Sequence, residues 1–503
     1  MSTAVASDET TRATAAVRAG GRALARPSTS LAPRIVILGG GFAGVTAALE
    51  LAKRCAGLLP VHITLVSNQN FFLFTPMLAE AATGAVETRH ILYPIRPLCG
   101  RWGIEFGEMQ VEGIDLERRR VTVRHHRSSL RQQVHYDSLV LALGATPNVA
   151  IAPGAAEHAL TFKGVGDAFR IRNRVIELFE AAALTDDPWI RRRLLTFVVV
   201  GAGHAGTEVV AAVEELTRGI LVRHYPRIPP ETVRLVLVGS QVLPQTATNL
   251  AAYTKERLVQ RGIELETARA ASVSLEGLAL QDGRLIPSSC VIWTAGTQVS
   301  PVVAALPLPK TRDGRLVVNG FFEVEGAPGV YALGDNAAQI DRHSNTPYVA
   351  TAQVALRQGR ALARQLEARL TGRERKPFDF KLLGEMVPLS RHTAVADLSG
   401  LKLFGFPAWF MWKTIYMVAG HHERYDGGGY PQGLKADEIP LVARVFAVVD
   451  ALDAMTHERP HRPARSLDDA LAVLKDEAGR QFDPRVVEAA LAMPSARWKE
   501  LLD

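Results

Sequence analysis

Cysteine is scarce in this chain. Cys55, Cys99 and Cys290 are the three in 503 residues, and no two of them form a C-x-x-C pair. That spacing excludes a disulfide framework, a cysteine zinc site and a redox dithiol, and it suits a reducing compartment. Long apolar runs are missing too. Although 47% of the residues are hydrophobic, no stretch approaches the ~18 uninterrupted apolar residues of a membrane-spanning helix. Nor is there a basic run interleaved with aromatics. The net charge of +7 therefore reads as solubility or contact with an anionic membrane surface, and not as nucleic-acid binding. Residues 1–33, rich in Ala, Arg, Ser, Thr and Gly, lack the apolar core of a signal peptide and read as a disordered basic tail.

What the chain does have is a strand–glycine–helix unit, twice. Arg34-Ile-Val-Ile-Leu38 is a buried-strand run, followed by Gly39, Gly40, Gly41, Phe42, Ala43 and Gly44 in G-x-G-x-x-G spacing and then by a small-residue helix. The first glycine makes the turn, the second lets backbone N–H groups approach a pyrophosphate, and the third lets helix pack on strand. About 160 residues on, strand Phe197–Val200 leads into Gly201, Gly203, His204, Ala205 and Gly206, with Glu208 on the helix beyond. Two such units imply two dinucleotides, most economically FAD on the first and a nicotinamide dinucleotide on the second. The acid that usually holds the adenosine ribose at the end of the next strand is replaced by Ser67 in the first unit. In the second it is replaced by Gly239-Ser240-Gln241, which leaves NADH and NADPH both open.

The run Ser67 to Arg96, SNQNFFLFTPMLAEAATGAVETRHILYPIR, resembles the type II NADH:quinone oxidoreductases, single-chain flavoprotein NADH dehydrogenases. The likeness continues through Tyr136–Pro147, Ser289–Gly296, Gly314–Asp335, Thr351–Gly359 and Gly384–Met417. It implies two Rossmann-type domains of an α/β two-dinucleotide flavoprotein. FAD would lie at Gly39–Gly44, Ser67, Thr75, Pro76, Gly144, Gly334, Asp335, Ala352 and Gln353. NADH, which the resemblance favours, would lie at Gly201–Gly206, Glu208, Gly239 and Gly296. Asp335 could instead be a plain helix cap, and Glu208 a solvated helix acid. The resemblance makes Glu208, Gln353 and Gln358 the catalytic candidates, with quinone beside the glutamines. Arg357 stands where the family has the first of its paired glutamines. The aromatic stretch Leu401–Met417 suits a membrane interface or a packed helix equally.

Past Met417 the chain turns to His421-His-Glu-Arg-Tyr-Asp-Gly-Gly-Gly-Tyr-Pro431 and later Asp450. This resembles the second half of an HD-GYP domain, the cyclic-di-GMP phosphodiesterase family, in which His421, His422 and Asp450 match metal-binding positions. The chain has no His-Asp dipeptide, and three leftover ligands do not build a di-metal hydrolytic centre. No metal centre is expected, with His421, His422 and Asp450 left as candidates for weak metal binding.

The expected organisation is therefore a tail (1–33), an FAD-binding domain (34–160 and 297–375) and an NAD(P)H-binding domain (161–296). A quinone- and membrane-facing subdomain (376–420) and a mostly α-helical HD-GYP-like segment (421–503) complete it. The expected activity is hydride transfer from NADH to FAD, then electron transfer to a quinone without proton pumping. The place is the cytoplasmic face of a bacterial inner membrane, and a homodimer is compatible with all of this. The rival readings are a ferredoxin- or rubredoxin-reductase-like flavoprotein, and a redox- or cyclic-di-GMP-responsive regulator.

Overall fold

A computed structural model describes residues 32–125, 128–418, 423–429, 434–439, 441–456, 465–494 and 497–498. In chain order its parallel strands are β1 (Arg34–Leu38), β2 (His62–Ser67), β3 (Glu105–Glu108), β4 (Ser138–Leu141), β5 (Ala159–Thr161), β6 (Thr196–Val200), β7 (Arg234–Val238), β8 (Ile263–Glu266), β9 (Cys290–Trp293) and β10 (Val330–Ala332). They form two five-stranded sheets, β10-β4-β1-β2-β3 and β5-β9-β6-β7-β8. Val, Ile and Leu dominate β1, β6 and β7 because both faces of a parallel sheet are covered. Hydrophobic clusters line both sides: Ile35, Ile37 and Leu65 on one face of the first sheet, Val36, Leu38 and Val66 on the other.

The chain divides into two units. Unit 1 is the chain up to Pro76 with Pro94–Asn148 and Gly296–Leu382; unit 2 is Met77–Tyr93, Val149–Ala295 and Leu383–Asp503. Each holds one of the two sheets. The crossing thus falls at Asn148, earlier than the 160 that the sequence suggested, and segment 77–93, read there as flavin domain, groups with unit 2. Residues 383–503 group with unit 2 as well.

Unit 1 packs helix α1 (Phe42–Cys55) on β1. In unit 2, helices α2 (Leu78–Thr83), α3 (Val165–Leu184) and α4 (His204–Glu214) cover one face of the sheet, around Ile171, Phe179, Phe197 and Val209. In unit 1, α5 (Ala352–Thr371) lies so close to α1 that a Cβ on Gly359 would sit 2.7 Å from the Ala43 carbonyl oxygen.

The C-terminal part of unit 2 begins with an antiparallel meander, β11 (Gly384–Ser390), β12 (Thr393–Leu398) and β13 (Leu401–Gly405), followed by α6 (Phe406–Val418). The stretch read as either a membrane interface or a packed helix is therefore a strand and a helix with two faces. Ala408 and Trp412 are buried, whereas Phe406 and Phe410 are more than half exposed. The mostly helical segment continues with α7 (Leu441–Thr456), α8 (Leu467–Asp476) and α9 (Pro484–Leu491), which share a small core around Val448, Leu452, Leu474, Phe482 and Trp498. Asp483 caps α9 and, buried, takes a 2.6 Å hydrogen bond from Arg444.

Candidate active site

In unit 1 the first glycine loop is fixed by close approach. Gly39 has φ +120, and a Cβ there would lie 1.9 Å from the Ala142 carbonyl oxygen; one on Gly44 would lie 2.0 Å from that of Gly39. Gly41 differs. It caps the N-terminus of α1 without a side-chain hydrogen bond, and a Cβ there meets nothing within 4 Å. The helix thus presents its first N–H groups and positive end to open space, where a pyrophosphate fits.

The other candidate residues of unit 1 gather at this loop. A Cβ on Gly334 would lie 3.6 Å from that of Ala43 and 3.7 Å from that of Ala355. Gly334 donates its N–H to Gln358 Oε1 at 2.7 Å, and Asn336 Nδ2 donates to the Gly144 carbonyl at 2.8 Å. Asp335 lies in the 3-10 turn between these two anchors. Asn336 Oδ1 is buried and accepts no hydrogen bond, so this side of the loop retains a polar atom for a ligand. Phe42 packs edge-on against Phe72 and Phe74, at ring separations of 4.8 and 5.8 Å. Thr75 is exposed, and Ala352 and Gln353 open α5 beside Val354, whose N–H meets the Thr351 hydroxyl. The loop and its surroundings fit FAD.

Three residues are engaged in ways the sequence did not anticipate. Ser67 is buried against Gly40 and its Oγ accepts the Gln69 N–H at 3.2 Å, so its hydroxyl already serves the local turn. Arg357 stacks its guanidinium 5.0 Å over the ring of Phe380. Gln358 is buried and holds the Gly334 turn.

In unit 2 the second loop repeats the construction. Gly201 has φ +107 and would place a Cβ 2.7 Å from the Ala295 N; Gly206 would place one 1.7 Å from the Gly201 oxygen. Gly203 caps α4 with open space beside it, and Gly239, after β7, lies against Ala202. His204 and Ala205 are the first residues of α4. Gly296, expected with the nicotinamide residues, belongs to unit 1, where its carbonyl accepts the Asn148 N–H at 3.1 Å.

Unit 2 also contains a group of carboxylates. Glu208, half-buried on α4, has its carboxyl pushed up to about 8 by burial, against the lowering pull of His204. Glu80 on α2 is pushed up to about 7, again by burial. Its Oε2 accepts no hydrogen bond, and Lys413 Nζ stands 3.9 Å away. His204 Nε2 meets Glu385 Oε2 at 2.9 Å, and Thr246 Oγ1 donates to the same oxygen at 3.1 Å. Glu80 and Glu385 were not singled out from the sequence. The available signals were a lone acid in the apolar turn Leu78-Ala-Glu-Ala-Ala82 and an acid opening an apolar strand.

All three cysteines are buried free thiols. Burial pushes Cys99 up to about 11 and Cys290 up to about 12, far from the thiolate form that redox chemistry needs. Asp450 is exposed on α7, while His421 and His422 lie outside the described residues. Among the described residues no group of three or more His, Cys, Asp or Glu could hold a metal ion.

Two glycine loops on two parallel sheets define a class. Residues 33–359 match the pyridine nucleotide-disulphide oxidoreductase family. Within it the chain is 32% identical over 404 residues to the type II NADH:quinone oxidoreductase NdhA of Mycobacterium tuberculosis, covering 76% of this chain and 83% of that one. It is 30% identical to the demethylphylloquinone reductase NdbB of Synechocystis, covering 77% and 92%. The fold is shared with NDH2 of Plasmodium falciparum, solved in complex with NADH, at a TM-score of 0.70 and 19% identity over 76% of this chain and 94% of that one. The chain belongs to the type II NADH:quinone oxidoreductase family. Residues 402–486 separately match an HD domain, beginning upstream of the 421 read from sequence.

Proposed function

We propose that the chain is a FAD-dependent NADH dehydrogenase that delivers electrons to a quinone without pumping protons. FAD bound at Gly39–Gly44 would supply the redox chemistry between NADH and the quinone. The observation that carries this reading is the pair of glycine-built loops, one in each unit, in a chain whose thiols are all buried and protonated. A dithiol relay has no material here.

Within unit 1, Gly39–Gly44 offer the α1 N-terminus to the pyrophosphate of FAD. Gln358 and Asn336 hold the turn that carries Asp335 toward the same loop. Within unit 2, Gly201–Gly206 and Gly239 do the same for NADH. Glu208 keeps a proton on its carboxyl at neutral pH and so can hand one over at Oε. Quinone is the acceptor, with Gln353 and Arg357 on its side of α5. Among the described residues no helix is long and apolar enough to cross a membrane. The exposed Phe406 and Phe410, with Lys402 nearby in sequence, support peripheral contact with an anionic bilayer on the cytoplasmic face.

The test is anaerobic. Purified protein should carry flavin, NADH should bleach its visible absorption, and a short-chain quinone should restore it. Protein without flavin, or flavin that NADH leaves untouched, refutes the reading. A ferredoxin-type acceptor outpacing the quinone would move the chain to the reductase branch. Flotation with anionic but not neutral vesicles tests the membrane contact.

A further inference from the structure

His204 is in an electrostatically awkward place. It is the first residue of α4, where the helix end is positive and a cation is disfavoured. Yet its ring is met at 2.9 Å by Glu385, reaching in from β11, and Glu385 is itself held by Thr246 at 3.1 Å. Glu208 follows one turn along α4, at the i,i+4 spacing that puts two side chains on one helix face. The His204 side chain keeps 40% of its surface exposed. A solvent-reachable imidazole thus stands one helical turn from a protonated carboxyl. This arrangement exceeds what anchoring β11 would require.

Reduction of a quinone by NADH consumes one proton per turnover: NADH, one proton and quinone give NAD+ and quinol. We propose that His204, oriented by Glu385, is the positioning residue through which water returns that proton to Glu208. The imidazolium N–H proton passes to the Glu208 carboxylate, leaving neutral imidazole, which takes a proton from water. No electrons move in this step. The proposal rests on the NADH:quinone reading above.

The electrostatics run the right way. Burial alone would lower the His204 pKa, but the hydrogen bond it donates to Glu385 and the charges of Glu385 and Glu208 together raise it. Glu208 sits at about 8, so it gains and loses its proton in the physiological range. The charged groups around them are few. Asp397 of β12 is paired across from Glu385, with Lys402 opposite it on β13. Glu80 of α2 adds a like charge beside Glu208 and is faced by Lys413 of α6. Glu215, which also acts on Glu80, is bound to Arg391 at 2.5 Å.

The experiment uses the flavin-loaded full chain with His204→Gln and Glu385→Gln. NADH should bleach the flavin of Glu385→Gln as it does the wild type. A wild type that is not bleached overturns the function reading and not this one. In steady-state quinone reduction, His204→Gln should lose about tenfold in kcat at neutral pH, and added imidazole should restore it. Glu385→Gln should move the alkaline limb of the kcat profile to lower pH. Histidine NMR of that variant without substrates should show one imidazole titrating at lower pH than in the wild type. A His204→Gln enzyme with wild-type kcat at all pH values overturns the proposal, as does a raised KM for NADH without imidazole rescue. Should His204→Gln fail to retain flavin, Glu385→Gln decides, and an unmoved limb overturns the proposal.

Discussion

The glycines of the first loop separate fold from ligand, and two single-methyl substitutions test that separation. Gly39→Ala places a Cβ 1.9 Å from the Ala142 carbonyl oxygen at a φ of +120. Reaching ordinary van der Waals contact requires β1 or β4 to move by more than an ångström. Overpacking of this kind costs about 1–3 kcal/mol, and a left-handed backbone adds about 1–2 kcal/mol for a residue with a Cβ. The sum, about 2–5 kcal/mol, lowers the melting temperature by roughly 4–20 °C for a unit of this size. Gly41→Ala adds the same methyl where nothing lies within 4 Å and φ is −88. Its cost to folding is at most about 1 kcal/mol, the disadvantage of alanine at a helix N-cap. It occupies the space above the helix end, however, and losing one backbone hydrogen bond to a charged phosphate costs about 1.5–3 kcal/mol, roughly tenfold to a hundredfold in flavin affinity. Thermal unfolding of flavin-stripped protein and flavin titration of the same samples read the two effects apart. Gly39→Ala should melt early; Gly41→Ala should melt almost normally and bind flavin poorly. A Gly41→Ala protein that binds flavin like the wild type refutes the placement of the pyrophosphate at this helix end.

Other outcomes follow from the same geometry. Glu208 has a folded value of about 8 against 4.5 for the free group, so the folded chain binds this proton more tightly than the unfolded one. Its contribution to stability is complete below pH 4.5 and is lost as pH rises through about 8; Glu208→Gln should flatten the alkaline fall of the melting temperature. Native protein at mildly alkaline pH should leave Cys99 and Cys290 unmodified by a thiol reagent, and all three cysteines should react after denaturation. Replacing Arg357 by Gln removes a cation–π contact worth about 0.5–1 kcal/mol, restores the family's glutamine, and should lower KM for a short-chain quinone while leaving flavin reduction by NADH unchanged. Adding manganese or zinc should not raise the melting temperature, since no described group of ligands awaits an ion.

The parts of this molecule visible in the sequence are those whose cause is local. A glycine that must sit under a carbonyl leaves its mark at a fixed spacing, so both loops, their strands and their helices could be placed. The turn that carries Asp335 could be placed too, because a strand ending in Gly-Asp is a local pattern. The Glu385 partner of His204 lies 181 residues away, and the acid that opens β11 carries no mark of that pairing. Glu80 was hidden for the same reason, since its raised carboxyl comes from burial in the folded chain, against the lowering pull of Lys413 on a distant helix. Ser67 shows only half of its role locally: its Oγ accepts the Gln69 N–H, and a serine hydroxyl that accepts one bond still has an O–H to donate.

The boundary at the C-terminal end is the least legible, and the reason is physical. The HD match begins at residue 402, at the start of β13, whereas the type II dehydrogenase resemblance runs to Met417. Strand β13 and helix α6 are therefore claimed by both. β13 pairs with β12 throughout its length, and α6 buries Ala408 with Ala394 and Ala396 of that strand. The same helix packs against α7 of the HD-like part. One element cannot be buried by two neighbours and also mark a flexible junction. The HD-like helices accordingly continue the meander through a shared helix, and they share their own core, with Asp483 locked by Arg444. Cutting the chain at 421 removes the helices that pack on α6, so a truncation there exposes apolar surface on α6 and tests the fold of the meander as much as the role of the tail.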